Sequence, residues 1–247
     1  MRIAVAGGTG VVGVHVVSAL EQAGHEAVVL SRSSGVDLET GTGLDDALAG
    51  VGGVIDVSNV ATQSRRRSVE FFTSATVNLL AAGARAGVRH HAVLSIVGSD
   101  RVDLGYYAGK REQERLTEAG PLPWSILRAT QFHEFAGQVL DQVPGPVAVV
   151  PRMRTQPVAA SDVGAALASL VVGPPVGRAV ELAGPREEHL PDMARRLLAA
   201  RGSRRKVVAV RLPARGGAAM AAGGLLPGPD ARLSRLTFDE WLAAAPR

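Results

Sequence analysis

With 247 residues, 46% of them hydrophobic, the chain can bury the core of one large domain, or of a domain with an attached lobe. The lack of cysteine excludes a disulfide framework and a thiolate metal site, and His90-His91 has no carboxylate close by in sequence, so no metal is expected. The formal charge of +4 is carried almost wholly by arginine and is too modest for a nucleic-acid binder, and neither Arg65-Arg66-Arg67 nor Arg204-Arg205-Lys206 is interleaved with aromatics.

The chain opens on a strand pattern without a charged leader. No apolar run approaches the roughly 18 residues that span a bilayer, and the Gly/Ala-rich stretch Ala214 to Leu226 is broken by Arg215 and glycines. These features predict a soluble, cytoplasmic protein with no membrane contact.

Strand-like and helix-like spacings alternate along the chain, the mark of a parallel sheet with helices on both faces. Ile3 to Ala6 reads as the first strand. A helix follows over Val11 to Ala23, with apolar residues at Val12, Val16, Ala19, Leu20 and Ala23 and a stop at Gly24. Ala27 to Leu30 is the second strand and Gly35 to Leu38 a short third. A helix near Leu44 to Ala49 leads to a fourth strand, Val54 to Val57. A long helix runs from Ser64 to Ala86 and ends at Gly87. Ala92 to Val97 is the fifth strand, a helix spans Tyr107 to Ala119, and Trp124 to Arg128 is the sixth strand.

Beyond Thr130 the rhythm loosens. Strands are predicted at Val147 to Val150, Ala179 to Leu182 and Val207 to Val210, with helices over Asp162 to Val172, capped by Ser161, and Pro191 to Ala200. Thr237 and Glu240 stand at capping-box spacing and should start a closing helix. The expected architecture is α/β: one domain over residues 1–247, with a doubly wound parallel sheet to about 130 and a small C-terminal α/β substrate lobe over about 131–247.

The first strand runs straight into Gly7, Gly8, Gly10 and Gly13 and then into the helical pattern. Glycine there permits a tight turn, close approach of the backbone to phosphates, and close packing of helix on strand. The free N–H groups and positive dipole end of the helix then face the anion. This is a recipe for holding a dinucleotide pyrophosphate, with Gly7, Thr9, Gly10, Val11, Val12 and Gly13 around it. A site for NAD would place a carboxylate at the end of the second strand to accept from the ribose 2′-hydroxyl. The chain reads Leu30-Ser31-Arg32-Ser33-Ser34 instead, with no Asp or Glu from 30 to 36. Ser31 and Arg32 suit a 2′-phosphate, so NADP(H) is expected over NAD(H). Asp37 and Leu38 are expected beside the adenine, and Ser58 and Asn59, just past the fourth strand, beside the cofactor ribose.

The chain has two tyrosines and two lysines, and three of these four residues fall within Tyr106-Tyr107-Ala108-Gly109-Lys110. Tyr106 and Lys110 are four apart, one above the other on a helix face. An ammonium there is expected to depress the phenol's pKa from about 10, fitting it for general acid or base work. Tyr107 is the alternative phenol, and packing of the helix start is the alternative role for both. Ser95 or Ser99 supplies a hydroxyl to orient a substrate carbonyl. Gln131, Phe132 and His133 follow the sixth strand at the carboxyl edge of the sheet, where such folds bind ligands. They are candidate substrate contacts, and His133 is also a group that titrates near neutrality.

The run Gly7-Gly8-Thr9-Gly10-Val11-Val12-Gly13, Ser95, Tyr106 with Lys110, and Pro123-Trp124-Ser125-Ile126-Leu127-Arg128-Ala129-Thr130-Gln131-Phe132 resemble the atypical short-chain dehydrogenase/reductases of the NmrA-like group. The resemblance covers most of the chain, including the Trp241-Leu242 tail. It implies a Rossmann core binding NADP(H), with substrate held between the loop after the sixth strand and the C-terminal lobe. It also implies Ser95 as orienter, Tyr106 as proton donor and Lys110 as ribose-binding lysine. Gly7, Gly10 and Gly13 fall on the family's glycines and Arg32 on its 2′-phosphate position. The gap of eleven residues from Ser95 to Tyr106 is short for the pattern.

The function expected is NADPH-dependent reduction of a carbonyl or quinone-like small molecule. The alternative is a non-catalytic NADP(H) sensor, as in members of the group that have lost the tyrosine. A nucleotide-sugar epimerase or dehydratase shares the fold but finds little support in the short lobe. The partners expected are a small-molecule substrate and, as an open alternative, a second copy of the chain.

Overall fold

Strand β1 (Arg2–Ala6) leads through the glycines to helix α1 (Gly13–Gln22), and β2 (Glu26–Leu30), α2 (Leu44–Leu48), β3 (Gly53–Asp56), α3 (Arg65–Ala86), β4 (His90–Ile96), α4 (Gly105–Ala119) and β5 (Trp124–Ala129) continue the alternation. After β5 come α5 (Phe135–Asp141), β6 (Val147–Pro151), β7 (Arg154–Thr155), α6 (Ala160–Val172), β8 (Gly177–Arg178), β9 (Leu182–Ala183) and β10 (Glu188–His189). The chain then forms α7 (Leu190–Ala200), β11 (Lys206–Val210), α8 (Arg215–Ala221), β12 (Arg232–Leu233) and α9 (Phe238–Ala244). This computed structural model describes residues 1–213 and 215–244. Ala214, the start of the Gly/Ala-rich stretch, and residues 245–247 lie outside the described residues.

The chain divides into two compact units. The first comprises Met1–Ser95, Gly105–Arg128 and Ser161–Val180, and the second Ile96–Leu104, Ala129–Ala160 and Glu181–Arg247. The first unit carries parallel strands in the order β2-β1-β3-β4-β5, with β8 beside β5. Ile3 pairs Ala27 on one side and Gly53 on the other, so the strand order reverses at β1. A doubly wound Rossmann-like sheet of this kind opens a crevice at the carboxyl ends of the strands flanking that reversal. Both faces of β1 are covered, and Ile3 to Ala6 are completely buried. One side holds Leu44, Leu48, Leu79 and Leu80 against Ala4 and Val54.

The chain passes from the first unit to the second after Arg128, near the boundary expected at about 130, but the second unit is not continuous from there, because α6 and β8 return to the first. Small residues permit this. A Cβ on Gly164 would lie 2.7 Å from the His15 Cβ and 2.9 Å from the Val16 nitrogen, and one on Gly53 would lie 2.9 Å from a Val171 methyl. The second unit has a two-stranded parallel pair, β6 with β11, and an antiparallel pair, β7 with β10. It closes on α9, whose capping box forms as expected: Thr237 Oγ1 accepts from the Glu240 N–H at 3.2 Å and Glu240 Oε2 from the Thr237 N–H at 2.9 Å.

Three predicted elements differ. Gly35 to Leu38 is not a strand. Ser31 caps a single 3₁₀ turn, Arg32–Ser34, which ends on left-handed Gly35. Asp37 Oδ1 then accepts from the N–H groups of Glu39 and Thr40, at 2.8 and 3.2 Å. The side-chain acceptor wins over strand pairing, as it does in Asx turns. The strand expected over Ala179 to Leu182 is split, with Gly177–Arg178 pairing β5 and Leu182–Ala183 pairing β12. Helix α6 starts at Ala160, so Ser161 lies inside its first turn rather than capping it. Among the described residues no helix is long and apolar enough to cross a membrane.

Strand β4 contains a buried polar residue that periodicity treats as an ordinary strand position. His91 is fully buried, and neither ring nitrogen has a hydrogen-bond partner. Burial lowers its pKa to about 4, Asp56 opposing the shift and His90 adding to it. An unfolded histidine titrates near 6.5. The neutral ring therefore contributes stability that is complete above about pH 6.5 and is lost as pH falls toward 4, a contribution of about 3 kcal/mol. His91→Leu should flatten the acid-side loss of stability by about that amount relative to the parent, measured as denaturant midpoints between pH 7 and pH 4.

Candidate functional site

The glycine turn after β1 is built by sterics. Gly7 has φ +79°, and a Cβ there would lie 2.8 Å from the Val57 carbonyl and 2.9 Å from Ser58 backbone atoms. The loops after β1 and β3 thus meet at the reversal of strand order. A Cβ on Gly13 would lie 2.1 Å from the Gly7 carbonyl oxygen and 2.6 Å from Gly8 Cα. Gly10 is different: its Cβ would meet only the Gly7 oxygen, at 3.2 Å. The protein itself leaves that side open, as a backbone approached by a ligand requires. Helix α1 starts at N-cap Val12 with no side-chain cap and no acidic residue in its first turn, so its first N–H groups have no side-chain acceptor. Thr9 and Val11 are exposed beside it and Val12 is buried. These residues fit a dinucleotide pyrophosphate.

At the end of β2, Ser31, Ser33 and Ser34 form a hydroxyl cluster, with Ser31 Oγ 2.9 Å from Ser33 Oγ, and Arg32 is exposed. Reading the sequence alone misses Glu39 and Arg67, which the fold brings to this edge. Arg67 donates to both Glu39 oxygens at 2.5 and 2.8 Å. This holds the Glu39 carboxyl below its ordinary pKa, with burial and Asp37 opposing and Arg32 assisting. Asp37 shapes the turn, and Leu38 packs against Phe71, Phe72 and Ala75.

Past β3, Ser58 is buried and its N–H donates to Asp56 Oδ1 at 2.9 Å. Asn59 is exposed, and its Oδ1 accepts from the Tyr106 hydroxyl at 2.7 Å. Tyr106 is thus tied to the loop at the sheet's carboxyl edge. Its ring meets Phe72 and Tyr107 edge-on. Gly105 and Gly109 allow the close approach of α4 to α3: a Cβ on Gly109 would lie 2.2 Å from Ser68 Oγ, which donates to the Tyr106 carbonyl at 2.8 Å.

The depressed phenol pKa expected from Lys110 is not found. Burial raises the pKa of Tyr106, and Tyr107 and Asp56 add to the shift. The reason lies in where the lysine points. Lys110 Nζ donates to the Leu94 carbonyl at 2.6 Å and to Gln113 Oε1, and stands 4.7 Å from the Phe72 ring centroid. Gln113 in turn donates to Asp56 Oδ2 at 2.8 Å. Neither Asp56 nor Gln113 was legible as a site residue. One falls inside the predicted strand Val54 to Val57 and the other reads as a helical polar position, and only the fold shows both to be fully buried.

Ser95, the expected orienter, is 1% exposed, with its hydroxyl near the Glu114 carboxylate but outside hydrogen-bond geometry. Glu114 accepts from Arg128 at 2.9 and 2.7 Å and from Arg178 at 3.1 Å. Burial pushes its pKa up, but these arginines prevail and hold it below the ordinary value. The Ser95 side chain thus lies beside this ion-pair cluster. Ser99, the alternative hydroxyl, is also fully buried.

Gln131, Phe132 and His133 belong to the second unit. Gln131 Oε1 accepts from Thr155 Oγ1 at 2.6 Å, and Phe132 bridges to Val158. His133 is fully buried, bonded to the Leu236 carbonyl at 3.1 Å, with Phe238 and Trp241 rings each 5.7 Å away. It is a core residue beneath the closing helix rather than an exposed substrate contact, because a segment about one hundred residues downstream covers it.

No curated protein matches the chain in sequence. Among solved structures, a nucleoside-diphosphate-sugar epimerase from Pseudomonas aeruginosa superposes with TM-score 0.71 at 18% identity, over 98% of this chain and 95% of that one. An NADPH-dependent quinone oxidoreductase from Escherichia coli gives TM-score 0.68 at 18% identity, over 98% of both chains. UDP-glucose 4-epimerase from Thermus thermophilus, solved with NAD, gives 0.66 at 20% identity, over 98% and 92%. At such identities the likeness carries the Rossmann-like fold. Residues 3–125, just under half of the chain, match the family model described as the NAD dependent epimerase/dehydratase family, and it is to this family that this part of the chain is similar.

Proposed function

We propose that the chain is an NADPH-dependent oxidoreductase that reduces a carbonyl or quinone-like small molecule, with Tyr106 as proton donor. The observation that carries this reading is the phenol at the carboxyl edge of the sheet. It is bonded to Asn59, next to Ser58, against which Gly7 of the cradle packs. The amides at the head of α1 and the open side of Gly10 hold the pyrophosphate, and Arg32 with Ser31 and Ser33 holds a 2′-phosphate. A reduced nicotinamide, when bound, supplies hydride. Tyr106 gives its proton to the substrate oxygen; burial raises its pKa, so it stays protonated through the neutral range but is a weaker acid than a free tyrosine.

The test is NADPH oxidation, followed by absorbance, against a panel of aldehydes, ketones and quinones, with UDP-sugars and NAD⁺ as a separate arm for epimerase chemistry. Consumption of NADPH with one carbonyl class is the expected result. Silence on the whole panel, with different affinities for NADP⁺ and NADPH, would favour the second reading, a dinucleotide sensor. The inward-facing Lys110 amine and the Ser95 hydroxyl beside Glu114 favour that alternative.

Arg32→Asp probes the cofactor choice. Replacing the guanidinium with a carboxylate removes a charge-assisted bond and adds repulsion, so NADP⁺ affinity should fall by about 10- to 100-fold. NAD⁺ affinity should hold or improve. Calorimetric titration of both dinucleotides checks this, and an equal loss for the two would remove Arg32 from the 2′-phosphate site.

A further inference from the structure

We infer that Asp56 is a positioning residue, which through Gln113 orients the Lys110 amine and through the Ser58 N–H steadies the segment on which the Tyr106 phenol leans. For its bearing on turnover the inference rests on the reductase reading; the contacts themselves do not.

The donor and acceptor inventory fixes the direction of every bond in the chain of contacts. An ammonium has donors only, so Gln113 must turn Oε1 toward Lys110. Its Nε2 then faces away and donates to Asp56 Oδ2 at 2.8 Å. The other carboxylate oxygen accepts from the Ser58 N–H at 2.9 Å. One residue further on, Asn59 Oδ1 accepts from the Tyr106 hydroxyl at 2.7 Å. Tyr106, Lys110 and Gln113 lie on successive turns of α4, so the contacts form a circuit between α4 and the end of β3 with Asp56 as its hub.

Asp56 and Gln113 are fully buried, and Lys110 is 4% exposed. Burying a carboxylate and an ammonium is costly unless both are bonded and paired, and the intervening amide satisfies each. The charged groups around the amine are Asp56 from β3 and Glu114 from α4. Glu114 is engaged by Arg128 and Arg178, and His91 of β4 lies close to Asp56. Helix α3 places the Phe72 ring against the amine. Burial brings the amine's pKa down to about 8, with Asp56 and Glu114 resisting the fall.

Asp56→Asn keeps the volume and an acceptor for Ser58 but presents an NH₂ to Gln113. The Gln113 amide must then flip and turn its own NH₂ toward Lys110, donor against donor. Selective isotopic labelling of lysine Nζ yields two NMR signals, from Lys110 and Lys206, and Lys206→Arg assigns them. The Lys110 midpoint should fall by about one pH unit or more in Asp56→Asn. It should return in the double variant Asp56→Asn with Gln113→Glu, where a carboxylate at 113 accepts from both sides. The limb of the turnover pH profile that follows Lys110 should move with it.

An unmoved midpoint in folded Asp56→Asn, or no recovery in the double variant, overturns the inference, as does a shifted midpoint with an unchanged pH profile in an active enzyme. If Asp56→Asn does not fold, Gln113→Leu is read in its place, a fall supporting the inference and an unmoved midpoint overturning it. Because the NMR titration needs neither cofactor nor turnover, a native protein inert toward every carbonyl would sink the reductase reading alone.

Discussion

Tyr106→Phe should lower NADPH-dependent turnover by about 10²- to 10⁴-fold, the usual worth of a positioned proton donor, with NADPH affinity nearly intact. The substitution removes one hydroxyl and leaves the ring, so the edge-on contacts with Phe72 and Tyr107 persist. The exposed Asn59 that loses its partner can turn to water. A folding defect is therefore not expected to mask the result. Tyr107→Phe serves as the matched control, since Tyr107 is buried and Tyr106 is the phenol bonded at Asn59. Equal turnover in Tyr106→Phe and parent would mean that this phenol packs the head of α4 and nothing more.

Gly13→Ala should reduce NADP(H) affinity at least about 100-fold. Its methyl group would lie 2.1 Å from the Gly7 carbonyl oxygen and within 2.7 Å of two Gly8 atoms, all of them backbone. No side chain can swing aside, so α1 must lift away from the turn or the turn must open. Either movement takes the first N–H groups of the helix off the anion they would hold. Overpacking of this kind also costs about 1–3 kcal/mol of stability, visible as a lower melting temperature. Gly10→Ala gives the contrast: with only one contact, at 3.2 Å, it should fold like the parent and still lose affinity. Calorimetry and thermal melts on both variants separate a fold effect from a loss of ligand room. Native-like NADPH binding in Gly13→Ala would remove the glycine turn from the site.

The alternation of strands and helices to residue 129, the glycine turn and the capping box of the last helix were legible in the primary sequence, because each depends on neighbours within a few positions. A strand period, a glycine at a tight turn and a Thr-x-x-Glu cap express their physics locally. The short strand at Gly35 was misread for the complementary reason: the Asp37 carboxylate and the glycines at 35 and 43 favour a turn where hydrophobicity alone suggested a strand. Tyr106 and Lys110 share a helix face as their spacing requires, yet the spacing carries no information on what else competes for the amine.

That competition was decided in three dimensions. Leu94, Phe72, Gln113 and Asp56 come from four different elements, and only strand order and helix packing bring them around one ammonium. The same holds for the burial of His133 under a tail over a hundred residues away, the turning of Ser95 toward Glu114, and the return of α6 and β8 to the first unit. The amino-acid order alone determined which backbone could cradle a dinucleotide, since glycine conformation and helix-end polarity are short-range properties. Which polar side chains stay available for chemistry was left to the tertiary structure, since desolvation and hydrogen-bond competition depend on residues distant in sequence.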